Sequence, residues 1–220
     1  MKITVALIAV LAAAPAAQDA AVPVEEEPFH KTVLKNDYVQ AFRVNLGPGQ
    51  STRMHTHAKD DAAVRFSTAT VAAHGPGEPM GEPEPVYPGL VSARDNAKKP
   101  HTHRVHNIGT TLFDVLDVQI LKRPDGPAAP AILAPAAENA QMRVYRYDLA
   151  PGASSAPHTH ARPYLLVAAT DMNLRMSAPD GASLTHPIRA GDFHWVEVAV
   201  SHTFVNEGRE KGVLVEFELK

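Results

Sequence analysis

The sequence predicts an all-β protein in which one strand-rich unit is used twice in tandem, behind a short leader. Two blocks of residues recur along the chain, the runs around them alternate with a period of two, and no window keeps a helical period for more than two turns. At 220 residues the chain is long enough for two small domains, each with a core of its own.

Met1-Lys2 is a short basic start, Ile3 to Ala13 is apolar and uncharged, and Ala14-Pro15-Ala16 has small residues at both outer positions. This is the pattern of a cleavable export signal, with cleavage expected near Ala16 and a periplasmic or secreted mature chain. The apolar run is too short to span a bilayer of roughly 30 Å, so no membrane association is expected after cleavage. Residues 17–37 read as an N-terminal segment, mobile through about Glu27. The first domain is placed at 38–122, a Pro/Ala-rich linker at 123–139 and the second domain at 140–220.

The repeat is specific. Phe42-Arg43-Val44-Asn45-Leu46-Gly47-Pro48-Gly49 aligns with Tyr145-Arg146-Tyr147-Asp148-Leu149-Ala150-Pro151-Gly152, an offset of 103. The alignment runs on to His55-Thr56-His57 against His158-Thr159-His160. Further along, His103-Arg104-Val105-His106-Asn107-Ile108-Gly109 matches His202-Thr203-Phe204-Val205-Asn206-Glu207-Gly208 at an offset of 99. The change of offset marks an insertion, assigned to the Pro/Gly-rich stretch from His74 to Pro100. Thr111–Leu121 and Gly212–Leu219 are β-branched-rich runs that close the two copies.

A net charge of -3 without a basic block argues against a nucleic-acid partner. The chain has no cysteine, which excludes disulfides and a lipoprotein anchor and leaves only nitrogen and oxygen as metal ligands. Its 12 histidines are the unusual feature. In each copy a glycine, five residues and then His-x-His occur together. Residues i and i+2 of a strand share a face, so His55 and His57, like His158 and His160, can reach one ion. His103 follows 46 residues after His57, and His202 follows 42 after His160. If each copy closes into a barrel, such inward-facing residues meet at its centre. Asp61, four residues after His57, adds a carboxylate. Three imidazoles and a carboxylate leave two of six octahedral positions open for water, oxygen or substrate.

These blocks resemble the two motifs of the cupin superfamily: Gly, five residues, His-x-His, a few residues, Glu, then a later block with His, three residues, Asn. The resemblance covers roughly residues 38–122 and 140–220 and implies two tandem antiparallel jelly-roll barrels. Carried over, it implies a divalent metal (Fe, Mn, Zn, Ni or Cu) on His55, His57, Asp61 and His103, and a second site on His158, His160 and His202. Asp61 stands where the family has Glu. Tyr164 stands at the matching place in the second copy, as a metal-modulating group, as a catalytic base, or as a sign that this site is vestigial. Gly191-Asp192 keeps the family's glycine turn, and Gly89 is its best counterpart in the first copy. Trp195 reads as core, Arg43 and Arg146 as polar-face strand residues, and His30, His74 and His186 as surface. His101 shares the face of His103; His106 does not.

The implied function is an enzyme acting on a small molecule, with dioxygenase chemistry ahead of lyase, decarboxylase or isomerase chemistry. A non-catalytic binder of a sugar or small acid is the alternative. A homo-oligomer is allowed, but two barrels in one chain can also bury their sheets against each other.

Overall fold

The computed structural model describes residues 20–197 and 199–220, so the leader expected at residues 1–16 lies outside the described residues. The first half runs β1 Val22–Pro23, β2 His30–Lys35, β3 Val39–Leu46, β4 His55–His57, β5 Asp61–Arg65, β6 Ala69–His74, β7 Glu84–Val86, β8 Val91–Arg94, β9 His101–Asn107 and β10 Phe113–Ile120. The second half runs β11 Ala137–Glu138, β12 Met142–Leu149, β13 His158–His160, β14 Tyr164–Ala168, β15 Met172–Ser177, β16 Ser183–Ile188, β17 Phe193–Val196, β18 Val200–Asn206 and β19 Gly212–Leu219.

Each half is a jelly roll of two facing sheets. In the first, one sheet is ordered β2-β3-β10-β5-β8 and the other β1-β4-β9-β6-β7. In the second, the orders are β11-β12-β19-β14-β17 and β13-β18-β15-β16. All five strands of the first sheet, β2 with β11 included, and four strands of the second, all but β1, have a counterpart in the other half, so the sequence repeat is a structural repeat. The repeated asparagines pin it. Asn107 Nδ2 donates to the carbonyls of Leu46 and Thr111 at 2.8 and 2.7 Å, and Asn206 Nδ2 to those of Leu149 and Glu210 at 2.9 and 2.7 Å. Both side chains are buried and tie the end of one strand to the turn of another, satisfying carbonyls that would otherwise be stranded.

The central strands are buried on both faces. Odd-numbered residues of β10, Phe113, Val115 and Asp117, face the interior of the first barrel, while Leu116, Val118 and Ile120 face the other half. In β19, Leu214 lies in the second barrel's core, whereas Val213, Val215, Phe217 and Leu219 join Val39, Ala41, Ala62, Val64 and Leu165 in one cluster between the halves. The sheets therefore pack against each other, with an apolar core of the kind an interface between separate subunits would need. Two glycines make this contact close. Gly89 and Gly191 have φ of 79° and 92°, and a Cβ at Gly191 would stand 2.5 Å from Arg43 Nη1. Arg146 Nη1 donates to the Gly89 carbonyl at 2.8 Å. The two arginines thus clasp the opposite half reciprocally, a role the polar-face reading did not anticipate. Trp195 lies at the same interface, stacked on Tyr38.

Two expectations are corrected. The segment through Glu27 is built into the first barrel: Val22 pairs in parallel with His55, and Val24 and Glu27 are buried. The linker ends in ordered structure too. Ala137–Glu138 pairs with β12, and buried Asn139 donates to the carbonyl of Asp61 at 2.9 Å.

Candidate metal centres

The first constellation lies where β4, β9, β5 and β10 meet. His55 Nε2 is 3.1 Å from His57 Nε2 and 3.1 Å from His103 Nε2. Neighbouring ligands on one ion, each at 2.0–2.1 Å, stand about 3 Å apart, so this spacing suits a shared metal. The opposite ring nitrogens are braced. His55 Nδ1 donates to the Arg53 carbonyl at 2.9 Å, and His103 Nδ1 is 3.0 Å from His101 Nε2. His57 Nδ1 lies 2.9 Å from Asp61 Oδ2 and 3.5 Å from Asp117 Oδ2, close enough to attract but not aligned as a hydrogen bond. Burial, reinforced by neighbouring imidazoles, pushes His55 down to about 3 and lowers His103 as well, so both are neutral and fit to bind a metal. Burial opposes protonation of His57 too, but Asp61 and Asp117 outweigh it and raise that residue. Burial and the Asp61 charge push Asp117 up to about 7.

Asp61 faces Nδ1 of His57, not the Nε2 that approaches His55. Its Oδ2 also accepts from Asn96 Nδ2 at 2.8 Å, which suits a brace on His57, while His57, Asp61 and Asp117 also form a group that could hold an ion. The shorter Asp side chain starts on the same face as His57 but reaches only its near edge. Asp61→Asn is accordingly expected to weaken metal binding at this site by roughly 10–100-fold. Calorimetric titration with Zn(II) measures this, and complete loss of the site would instead make Asp61 a ligand.

The second constellation holds His158, His160, His202 and Glu216, with one donor atom from each all within 4.8 Å of one another. His158 Nε2 and His202 Nε2 are 2.7 Å apart. Glu216 Oε1 lies 3.1 Å from His202 Nε2 and 3.0 Å from His160 Nε2, and Oε2 lies 3.3 Å from His158 Nε2. Burial would raise Glu216, but contacts with the three imidazoles hold it well below the usual carboxylate range. Burial likewise disfavours charged His160, but Glu216 and Glu218 reverse this and push it up to about 9. His160 Nε2 is buried without a hydrogen-bond partner, as is Asp117 Oδ2 in the first site. Such orphaned atoms beside converging imidazoles and a carboxylate fit a divalent ion, with no thiolate among the donors.

Glu216 was missed from the sequence because it sits in a strand buried on both faces. Its signal was present: Glu216 and Glu218 interrupt an apolar run, and Asp117 precedes Glu216 by the same 99 residues that separate His103 from His202. Tyr164 is at the site, its ring stacked on His160 at 3.9 Å between centroids and its hydroxyl 3.5 Å from His202 Nδ1. Burial and the Glu216 charge raise its phenol above the ordinary value. Its ring packs His160 in place. His30, expected at the surface, is buried beside His55. His186 is exposed as expected, while His74 is half-buried and stacked on His106.

A cavity of about 110 Å³ opens on the first site, lined by His55, His57 and His103, by the carboxylates Asp61, Glu84 and Asp117, and by Arg65 and Arg94 among apolar side chains. Arg94 and His103 also line an outer pocket with Lys99 and His101.

No protein-family model matches the chain. It is 32% identical over 83 residues to the β-alanine degradation protein BauB of Pseudomonas aeruginosa, covering 38% of this chain and 86% of that one. Among solved structures, AerE from Microcystis aeruginosa superposes with a TM-score of 0.58 at 11% identity, over 88% of this chain and 98% of that one. The oxalate decarboxylase of Bacillus subtilis, a protein with Mn(II) centres, gives 0.51 at 15%, over 83% of this chain and 69% of that one. At these identities the two structures bear on the fold alone.

Proposed function

The chain belongs to the cupin superfamily, and from that premise we propose that it is an exported, metal-dependent enzyme acting on a small carboxylic acid at the first site. One observation carries the reading: converging imidazoles and two guanidiniums line the same small cavity. Arg65 and Arg94 offer forked donors that match a carboxylate, and the apolar walls leave little room for a larger group. The β-alanine in the name of the Pseudomonas relative is a molecule of this kind. A bound divalent ion would supply Lewis acidity and positions for substrate and oxygen. The residues of the chain orient the acid, exclude water and, at Asp117, offer a carboxyl able to carry a proton. Oxygen-dependent, dioxygenase-type turnover is the first reading, following the family resemblance. Asp117 in the cavity favours a second, a lyase, decarboxylase or isomerase that needs no oxygen.

The test is elemental analysis of the purified protein, followed by a screen of short mono- and dicarboxylic acids in air and under nitrogen. Oxygen uptake with product supports the first reading, and equal turnover under nitrogen supports the second. Tight binding of an acid without turnover overturns both and leaves a binding protein. Arg94→Met is expected to raise KM roughly 10–100-fold, the worth of a hydrogen bond to a charged group, with a smaller effect on kcat. The mature N-terminus, read by sequencing the protein from the periplasm or medium, is expected just after Ala16.

A further inference from the structure

We propose that His30 is a fourth imidazole ligand of the first site, contributed by β2, whose shorter counterpart in the second half, β11, carries no histidine. The proposal rests on the reading that this site holds a metal. His30 opens β2, is 9% exposed, and its ring centroid lies 4.6 Å from that of His55 and 5.7 Å from that of His57. One ring nitrogen from each of His30, His55 and His57 lies within 4.8 Å of the others.

The way His30 is held points to a ligand. Its Nδ1 is 2.7 Å from Glu27 Oε2, leaving Nε2 as the free nitrogen. Glu27 is itself buried. Its Oε2 also accepts from the backbone N–H groups of Phe29 and His30, at 2.8 and 3.1 Å. Its Oε1 accepts from Arg53 N at 3.0 Å, and the Arg53 carbonyl is the group that braces His55. A metal-bound histidine ordinarily gives its second nitrogen to a carboxylate or carbonyl, and such partners fix ring orientation. At this site His30 has Glu27, His55 has Arg53, His57 has Asp61 and His103 has His101. His30 thus matches His55, whose second nitrogen meets a carbonyl, while His57 has Asp61 only at ion-pair distance and His103 has another imidazole.

The comparison between halves explains why a fourth group is wanted here. In the second half Glu216 comes within 3.0–3.3 Å of all three imidazoles. Its counterpart Asp117 is one methylene shorter and comes no nearer to His57 Nδ1 than 3.5 Å. His30 supplies the donor that Asp117 does not, which makes the first centre nitrogen-rich and the second mixed.

The experiment uses a parent with the second site disabled by His158→Ala and His202→Ala, loaded with one equivalent of Zn(II). X-ray absorption at the zinc edge is expected to count four imidazoles; three overturns the proposal. Adding His30→Gln is expected to reduce the count to three and raise the Zn(II) dissociation constant at least about 100-fold, beyond the range of a lost outer-shell partner. An unchanged count and constant overturns it. Should the parent fold poorly, His30→Gln in the otherwise native chain decides. One of its two Zn(II) sites must weaken while the other, still occupied, reports a folded protein; two unchanged sites overturn the proposal. If native protein takes up no metal at the first site, the metal reading fails and this inference fails with it.

Discussion

Replacing Glu216 with glutamine is expected to empty the second metal site and leave the first filled. The side chain keeps its shape but loses its charge, and half of its polar end becomes a donor. Each oxygen of Glu216 now faces imidazole nitrogens: Oε1 those of His160 and His202, Oε2 that of His158. Oε2 also accepts from the Tyr147 hydroxyl at 2.7 Å. An amide cannot satisfy this set, because its NH₂ would point at lone pairs that a metal should occupy. Metal affinity at this site should fall by more than the roughly 10–100-fold of an outer-shell change. Elemental analysis after dialysis against a weak chelator would then find one equivalent fewer. In the metal-free protein the same change leaves His160 with Glu218 as its remaining carboxylate, 3.0 Å from Nδ1. Removing one partner of a buried pair destabilises by about 3 kcal/mol, measurable as a lower denaturant midpoint. Retention of both equivalents at native affinity would show that Glu216 is not a ligand and that the second site is held by histidines alone.

How much of this was legible depends on what each residue had to announce itself. His55, His57, His103, His158, His160 and His202 could be read because a rare residue type recurred at fixed spacing beside the same glycines and asparagines. The barrel could be read for the same reason. Asp117 and Glu216 were hidden because β10 and β19 are buried on both faces. Alternation then no longer separates inside from outside, and a carboxylate in such a strand looks like an irregularity. His30 was hidden more deeply, because the residue at the same offset in the second copy is Leu133, and only the pairing of β2 with β3 brings it to the site. For Asp61, sharing a face with His57 fixes direction but not which of its nitrogens the carboxylate meets. The arginines of the interface were read as a polar face because nothing in one strand reveals that a second sheet, notched by Gly89 and Gly191, will cover it.

The change with the largest expected effect on turnover is the double substitution His55→Ala, His57→Ala. His55 is the hub of the first site, since its Nε2 approaches both other repeat-derived ligands, and burial keeps it neutral at any ordinary pH. His57 is oriented by Asp61 and borders Asp117, so its loss also frees the acid that the cavity offers for proton transfer. Removing both imidazoles leaves His103 and at most one further nitrogen, too few to hold an ion against water. One metal equivalent should disappear while the second site, in another barrel, keeps its own. Lewis-acid assistance is worth several kcal/mol, so turnover should drop by about 1000-fold or more. Soaking the native protein in a strong chelator should reproduce the loss, and restoring metal should rescue the native protein but not the variant. Full activity in the double variant would move the chemistry to the second barrel, where His160, Glu216 and the raised phenol of Tyr164 would have to be reconsidered as the reacting centre. The two arginines beside the first site would then serve to balance Asp61, Glu84 and Asp117, the carboxylates that line the same cavity.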